Sequence, residues 1–337
     1  MDALAKEDQD LLTRVMAAAG AATPEQCLLM PFQQVQRSAG LNTEQTHKAR
    51  KLLGSTLYPW QNKIRLASSL ESLESYISIG DTLIDQCLGG GLRRGAVTEV
   101  VGESGSGKTQ LCLQLVLSAL LDAPQGGSVV YISTEGAFPV ERLVSMAHAR
   151  CRQENVDTQM LLERVLVAEL DNMETLVHAL EYKVPGFLDQ GVRLVVVDSI
   201  AAHLRFGSED EGTHEFYRRR SSVLIGLGSK LRLWAHRYSC AFVCVNQVTD
   251  VIGDGLEAQR ENRKAPALGA MWANVVDARV FMHYQRGLGV VLDDSGGANA
   301  DAKPDGPRRW IENAIAPWAA PARCEVVLDE RGFHSVC

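Results

Sequence analysis

One eight-residue string constrains this chain more than anything else in it. Gly102-Glu103-Ser104-Gly105-Ser106-Gly107-Lys108-Thr109 follows an apolar run, Ala96–Val101, and leads into a helix-forming stretch, Thr109–Leu121. Glycines at this spacing let successive backbone N–H groups turn inward and cradle phosphate oxygens. Lys108 is placed to reach the β- and γ-phosphates, and the Thr109 hydroxyl to hold Mg²⁺. The start of the helix, where Gln110 completes the set, adds partial positive charge. A strand, this loop and a helix in sequence predict a nucleotide site for ATP and Mg²⁺.

The rest of the chain alternates in the same manner. Strands are expected at Val129–Ser133, Arg164–Ala168, Leu194–Val197 and Ala241–Val245. Helices are expected at Pro139–Arg150, Asn172–Lys183 and Ser221–His236. Near-continuous apolar strands separated by helices predict a mostly parallel sheet covered on both faces, an α/β core. The end of the chain differs. Arg279–His283, Arg309–Ile311 and Cys324–Leu328 read as strands of an antiparallel extension, and Gly287–Pro307 as a long mobile loop.

Before the core, residues 1–54 lack β-branched runs and read as short helices. Gly20 is expected to stop the first helix, and a later one spans Thr43–Gly54, with Asn42 or Thr43 at its N-cap and Gly54 as its stop. Residues 55–78 form a linker, and 79–337 the core. No apolar run reaches membrane-spanning length, and the charged start carries no signal-peptide pattern, so an intracellular protein is expected. The 8 cysteines include no C-x-x-C pair and read as buried free thiols. A formal net charge of -7 excludes coating nucleic acid by bulk electrostatics alone, but allows a local basic site or one shared with a partner.

Three further positions converge on the nucleotide edge. Leu194-Val-Val-Val-Asp198 is an apolar strand ending in a carboxylate, the pattern in which Asp steadies Mg²⁺ through water. Many P-loop ATPases place a catalytic Glu directly after that Asp; here the residue is Ser199. Glu135 instead ends the strand after the P-loop helix. Ends of neighbouring parallel strands meet at the ligand crevice, so Glu135 can serve as the base, or remain a solvated loop carboxylate. Asn246-Gln247 ends another strand at the same edge. Sensing of the γ-phosphate by Gln247, passed on to the loop Val248–Leu268, and simple strand capping both fit.

P-loop, Glu135, Asp198 and Asn246-Gln247 occur in an order that resembles the RecA-like recombinase family. Gly90-Gly-Leu-Arg-Arg-Gly-Ala-Val-Thr-Glu-Val, Tyr131-Ile-Ser-Thr-Glu-Gly-Ala-Phe-Pro and Pro266-Ala-Leu-Gly-Ala-Met-Trp-Ala-Asn274 strengthen the likeness. The helical module resembles the helix-hairpin-helix-like N-terminal domain of the eukaryotic and archaeal branch. The resemblance implies a RecA-like P-loop ATPase core, homologous-recombination repair of double-strand breaks and stalled forks, and a nuclear location. It implies a heterodimer with the C-type paralogue of the recombinase, and contact with the central recombinase filament. It places Arg142 near the adenine, and the segment around Lys264 and Pro266 over a neighbour's nucleotide. Ile64-Arg-Leu-Ala67 matches the linker motif that joins subunits, with Ile64 filling an apolar pocket on the neighbour while the strand edge pairs with it; packing of Ile64 on its own core is the other reading.

The family's two DNA loops carry mixed charge here. The first, His203–Arg220, sets Glu209-Asp-Glu211 beside Arg218, Arg219 and Arg220; the second sets Asp250, Asp254, Glu257 and Glu261 against Arg260, Arg263 and Lys264. Phosphate neutralisation needs several uncompensated cations. The arginines are the DNA-contact candidates, for single-stranded or branched DNA, although Arg218–Arg220 also reads as a solvated helix start. Taken together, these readings predict a DNA-dependent ATPase of low turnover, a mediator within a paralogue complex. The competing expectation is an adaptor whose ATP mainly stabilises the partner interface. A self-assembling strand-exchange enzyme fits the loops less well, and nothing in the sequence marks the acceptor pocket of a nucleoside kinase.

Overall fold

The computed structural model describes residues 6–20, 24–57, 75–123, 126–154, 156–202, 214–250, 264–285 and 307–336. The chain divides into two units, 1–74 and 75–337. Residues 75–78, expected in the linker, belong to the larger unit through a short strand.

The smaller unit holds four helices, α1 (Lys6–Ala19), α2 (Pro24–Leu29), α3 (Phe32–Ala39) and α4 (Thr43–Leu57). Leu12, Val15, Cys27, Val35, Ala49 and Leu53 meet in its core. Asn42 caps α4 reciprocally: its side chain accepts from Gln45 N at 2.7 Å, and its own N–H donates to Gln45 Oε1 at 3.1 Å. Gly54 does not stop α4, which runs three residues further. Glycine inside a helix weakens it by about 1 kcal/mol, and the buried Leu53 beside it holds the turn in place.

The larger unit is built on a ten-stranded sheet. In chain order its elements are β1 (Tyr76–Ile77), α5 (Thr82–Cys87), β2 (Leu92–Arg93), β3 (Val97–Gly102), α6 (Lys108–Leu121), β4 (Ser128–Ser133), α7 (Val140–Glu154), α8 (Thr158–Leu162) and β5 (Val165–Glu169). Then come α9 (Met173–His178), a π-helical turn (Ala179–Lys183), α10 (Val184–Leu188), β6 (Val192–Asp198), α11 (His214–Tyr238) and β7 (Ala241–Asp250). The last are β8 (Lys264–Pro266), α12 (Gly269–Ala273), β9 (Ala278–Gln285), β10 (Arg308–Ile315), β11 (Ala322–Asp329) and β12 (Gly332–Ser335). Strands follow the order β12-β11-β10-β9-β3-β7-β6-β4-β5, with β8 on β7 and β1–β2 a separate pair. From β9 to β5 all neighbours are parallel; β10, β11 and β12 extend the sheet antiparallel.

Side chains on the two faces of the central strands enter two separate apolar cores. Val100, Tyr131, Val196 and Val243 face α6 and α7, while Val97, Ile132, Val195 and Phe242 face α11. Every residue from Leu111 to Leu120 in α6 is buried, which marks a helix enclosed on all sides. The one amide within that buried run, Gln114, is fully paired: it donates to Ile79 O (2.8 Å) and Phe333 O (2.9 Å) and accepts from Phe333 N (2.6 Å). The helix that begins at the P-loop is thereby locked to both ends of the core.

Several expected boundaries shift. The helix expected to end at Lys183 continues through the π turn to Leu188, because Pro185 sits in the first turn of α10, where its missing N–H costs nothing. Residues 214–220, read as part of a loop, belong to α11; no glycine or proline interrupts the chain from there to Ile225. Val248–Asp250 and Lys264–Pro266, read as loop, pair as an antiparallel hairpin. The segment 82–93, left unassigned by its sequence, holds α5 and β2. Cys324 is only half-buried, unlike the other described cysteines. The expected mobile loop 287–307 lies almost wholly outside the described residues.

Candidate nucleotide site

Parallel pairing brings the C-terminal ends of β3, β7, β6 and β4 to one edge. Gly102 stands opposite Gln247, and Ser133 opposite Asp198. Between β3 and α6 the loop turns through left-handed glycines. Gly107 has φ +103, and a Cβ there would lie 2.5 Å from the Phe333 ring; only glycine fits. At Gly102 a Cβ would meet Met282 O at 2.6 Å. Lys108 folds back over the loop, donating to Gly102 O (2.9 Å) and Glu103 O (2.8 Å). Burial lowers its pKa, and the nearby Asp198 and Glu135 carboxylates oppose that shift.

At the helix start the Thr109 hydroxyl donates to Asp198 Oδ2 at 2.7 Å. Tyr131 OH donates to the same oxygen at 2.7 Å. Burial raises the Asp198 pKa; the two donated hydrogen bonds and Lys108 pull it down, while Glu135 adds to the rise. Burial also pushes the Tyr131 phenol far up, so it stays a donor. A half-buried carboxylate beside a hydroxyl, with the lysine nearby, is a donor set for a hard cation that keeps water and phosphate oxygens as its other ligands. The Ser106 hydroxyl is buried with no partner among the described residues, which fits a loop shaped for phosphate oxygens. ATP and Mg²⁺ therefore match the residues present, although no group of three or more His, Cys, Asp or Glu capable of holding a metal alone occurs among the described residues.

Glu135 lies next to this pair. Its Oε1 accepts from Ser199 Oγ at 2.5 Å and from Gln247 Nε2 at 2.8 Å. Beneath them a buried chain runs back through the sheet. Asn246 Nδ2 donates to Glu99 Oε1 at 2.7 Å, and Arg279 Nε to Glu99 Oε2 at 2.5 Å. Glu99 is fully buried; a charge so placed persists only when paired and hydrogen-bonded. Tyr131, Ser199, Glu99 and Arg279 escaped the reading of the sequence. The available clue was polar residues set within or directly after apolar strands.

The remaining expected residues fall into three groups. Gln110 and Arg142 meet: Arg142 Nε donates to Gln110 Oε1 at 2.6 Å, and its guanidinium also bonds Asp329 O at 2.6 Å and Glu330 O at 3.3 Å. This ties the start of α6 to α7 and to the β11–β12 turn. Glu103 is ion-paired with Lys264 of its own chain, and Pro266 pairs with Val248 in β8. Gly102, Glu103, Ser104, Gln247, Thr249 and Lys264 line an open polar cavity of about 370 Å³. Arg218, Arg219 and Arg220 lie in the opening turns of α11. Ile64, Ala67, Arg260 and Arg263 lie outside the described residues.

A second cavity, about 700 Å³ and almost wholly apolar, opens beside β5, which has no further strand beyond it among the described residues. Ile132, Ala168, Leu170, Ala179, Val184 and Phe187 are among its walls. The edge strand β5 runs beside it, with Val167 exposed.

The sheet order, the phosphate loop and the polar edge together define a P-loop nucleotide-binding protein with a RecA-like core. The Rad51 family model matches residues 73–293, and the chain belongs to that family. It is 30% identical over 288 residues to the DNA repair protein XRCC3 homolog of Arabidopsis thaliana, covering 77% of this chain and 93% of that protein. It is 34% identical over 247 residues to DNA repair protein XRCC3 of Mus musculus, covering 68% and 67%. DNA repair protein RAD51 homolog 2 of Homo sapiens matches at 29% over 249 residues, covering 66% and 63%. The chain is thus a RecA-like recombinase paralogue, similar to XRCC3.

Proposed function

We propose that this chain is an ATP-hydrolysing subunit of a DNA-repair complex, a nuclear mediator of homologous recombination at double-strand breaks and stalled forks. The observation that carries the reading is the placement of Glu135, held by Gln247 and Ser199, beside the Thr109–Asp198 pair. The names of the relatives supply the DNA-repair context. The loop N–H groups and Lys108 hold the β- and γ-phosphates; Arg142 lies toward the adenine. Thr109 and Asp198 would hold Mg²⁺, which when bound neutralises charge on the phosphates. Glu135 orients a water and takes one of its protons as the water oxygen bonds the γ-phosphorus. The bond from that phosphorus to the β–γ bridging oxygen breaks, and the electron pair leaves with ADP. Gln247 is the amide through which the γ-phosphate state passes to β7 and the residues beyond it.

The partner is a second member of the family, the C-type paralogue. The apolar cavity beside the free edge of β5 supports this. An extended linker adds a strand to such an edge and seats an apolar side chain in the cavity. Ile64 and Ala67 of this chain form the corresponding segment to offer a neighbour, and Lys264 and Pro266 face a nucleotide at such an interface. DNA binding, through Arg218, Arg219, Arg220, Arg260 and Arg263, is shared with the partner because the net charge is -7.

The test is ATP turnover by the co-expressed complex, with and without single-stranded DNA, against Glu135→Gln in this chain alone. General-base removal is expected to lower this chain's share of turnover roughly 10²–10⁴-fold. Turnover equal to wild type would assign hydrolysis to the partner and leave this chain an adaptor with a structural nucleotide.

A further inference from the structure

Glu135 lies two residues past the end of β4, in Ser133-Thr-Glu-Gly136, and Gly136 sits at φ +136. A glutamate on such a turn has rotatable bonds to spare, and water activation needs its carboxylate fixed to within a fraction of an ångström. The structure shows how it is fixed. Ser199 Oγ donates to Glu135 Oε1 at 2.5 Å, the shorter of the two contacts on that oxygen. Glu135 Oε2 accepts no hydrogen bond from the described residues, so one oxygen is anchored and the other is open.

The serine is itself over-determined. It is 1% exposed. Its N–H donates to Thr134 Oγ1 at 2.7 Å, and Thr134 Oγ1 donates to its carbonyl at 2.6 Å. Its hydroxyl oxygen accepts from Ala202 N at 3.1 Å, which leaves the hydroxyl hydrogen for Glu135. Thr134 and Glu135 are the first two residues beyond β4, and Ser199 directly follows Asp198, the last residue of β6. The segment leaving β6, next to the cation-side carboxylate, therefore also grips the segment leaving β4 that carries the base.

We infer that Ser199 is a positioning residue, which holds the Glu135 carboxylate by one oxygen so that the other faces the attacking water. Where many P-loop ATPases place a glutamate directly after the metal-side Asp, this chain places the hydroxyl that aims a glutamate from the neighbouring strand. The inference rests on the proposal that Glu135 activates water. A purely structural role, sealing the β4–β6 junction and capping Ala202 N, would be felt in folding but not in the chemical step.

The experiment separates these. ATP hydrolysis is followed under single-turnover and steady-state conditions in the full-length chain, complexed with a hydrolysis-dead partner. The variants are Ser199→Ala, Ser199→Cys, Glu135→Gln and the Ser199→Ala/Glu135→Gln double. Thermal unfolding is read first, and the nearly isosteric Ser199→Cys, a weak donor, carries the test if the alanine fails to fold. Ser199→Ala is expected to lower kcat about tenfold with KM within about twofold, since groups that act as a unit fail in the chemical step and not in uniform binding. Ser199→Cys falls between, and Ser199→Ala adds nothing in the Glu135→Gln background. An unchanged kcat in the serine variants, or the same tenfold loss stacked upon Glu135→Gln, overturns the positioning role while leaving Glu135 in place. Wild-type turnover in Glu135→Gln, or none in the wild type, overturns the parent reading and this one with it.

Discussion

Two concave regions of the core are made from opposite materials. The edge at Lys108, Thr109, Asp198 and Glu135 is polar, and nearly every group in it is held by another. The cavity beside β5 is almost wholly apolar, with walls drawn from β4, β5 and the helices between Met173 and Leu188. Both lie on the same sheet, yet they ask different things of it. The polar edge needs four strand ends in register, because a carboxylate displaced by one residue points to the other face. The apolar cavity needs only volume and a free strand edge. The first can select a ligand by geometry; the second selects by shape and burial and tolerates variation among its wall residues.

If the two regions serve separate ligands, damage to one should spare the other. The largest effect belongs to the polar edge. Lys108→Ala removes the ammonium that folds over the loop. Charge-assisted hydrogen bonds are worth about 1.5–3 kcal/mol each, so losing two weakens ATP binding roughly 10²–10⁴-fold. Equilibrium titration with labelled nucleotide measures it. Recovery of the proposed paralogue partner in co-purification should stay within about twofold. Partner loss together with nucleotide loss would show that the two regions are one device, with ATP holding the interface.

The same contrast explains what the sequence could and could not reveal. The spacing from Gly102 to Thr109 has one structural solution, and the strands carrying Asp198 and Gln247 had to meet it, so the polar edge was legible from residues alone. Glu135 was legible because parallel strands finish at one edge. Tyr131, inside an apolar strand, and Ser199, just past one, were not: only the β4–β6 register shows that they reach Asp198 and Glu135. Glu99 and Arg279 are 180 residues apart and meet only through the β3–β9 pairing. The apolar cavity left no local mark, since its walls mix strand residues that read as ordinary core with helix residues such as Glu174 and Lys183 that read as surface. In the helical unit, Gly54 misled because glycine punctuates isolated sequence more strongly than it does a helix whose preceding residue, Leu53, is already packed.

The apolar region offers the next largest effect. Ala168 lines the cavity on the edge strand. Ala168→Arg puts a charge where an apolar side chain of the partner is proposed to seat. Disrupting a central interface pocket costs about 2 kcal/mol or more, roughly a 30-fold loss of affinity. Analytical ultracentrifugation or surface capture with the purified partner would read it, while ATP affinity of the isolated chain stays unchanged. Full-strength association would move the interface elsewhere on the molecule.

The smallest effect tests whether the polar edge is maintained at the expense of the fold. Burial raises the Asp198 pKa, the Tyr131 and Thr109 hydrogen bonds only partly restore it, and so the ionised carboxylate costs stability in the protein without nucleotide. Asp198→Asn keeps the shape and can still accept from both hydroxyls. It is expected to raise Tm by roughly 2–4 °C near neutral pH, the size of about a 1 kcal/mol change, while losing the Mg²⁺-dependent part of nucleotide binding. The sign with pH follows from linkage: for a carboxylic acid whose folded pKa lies above its unfolded one, the penalty is full above the folded pKa and vanishes below the unfolded value. The Tm advantage of the asparagine should therefore shrink as pH falls through the raised Asp198 pKa toward the ordinary carboxylate range. Over the same interval the Tm increase that Mg²⁺ and ATP confer on the wild type should fade, because the cation must displace a proton. Those two trends come from one group. An asparagine variant less stable than wild type at neutral pH would mean that the pull of Lys108 and the two hydroxyls outweighs burial, and that the polar edge stabilises the fold as the apolar regions do.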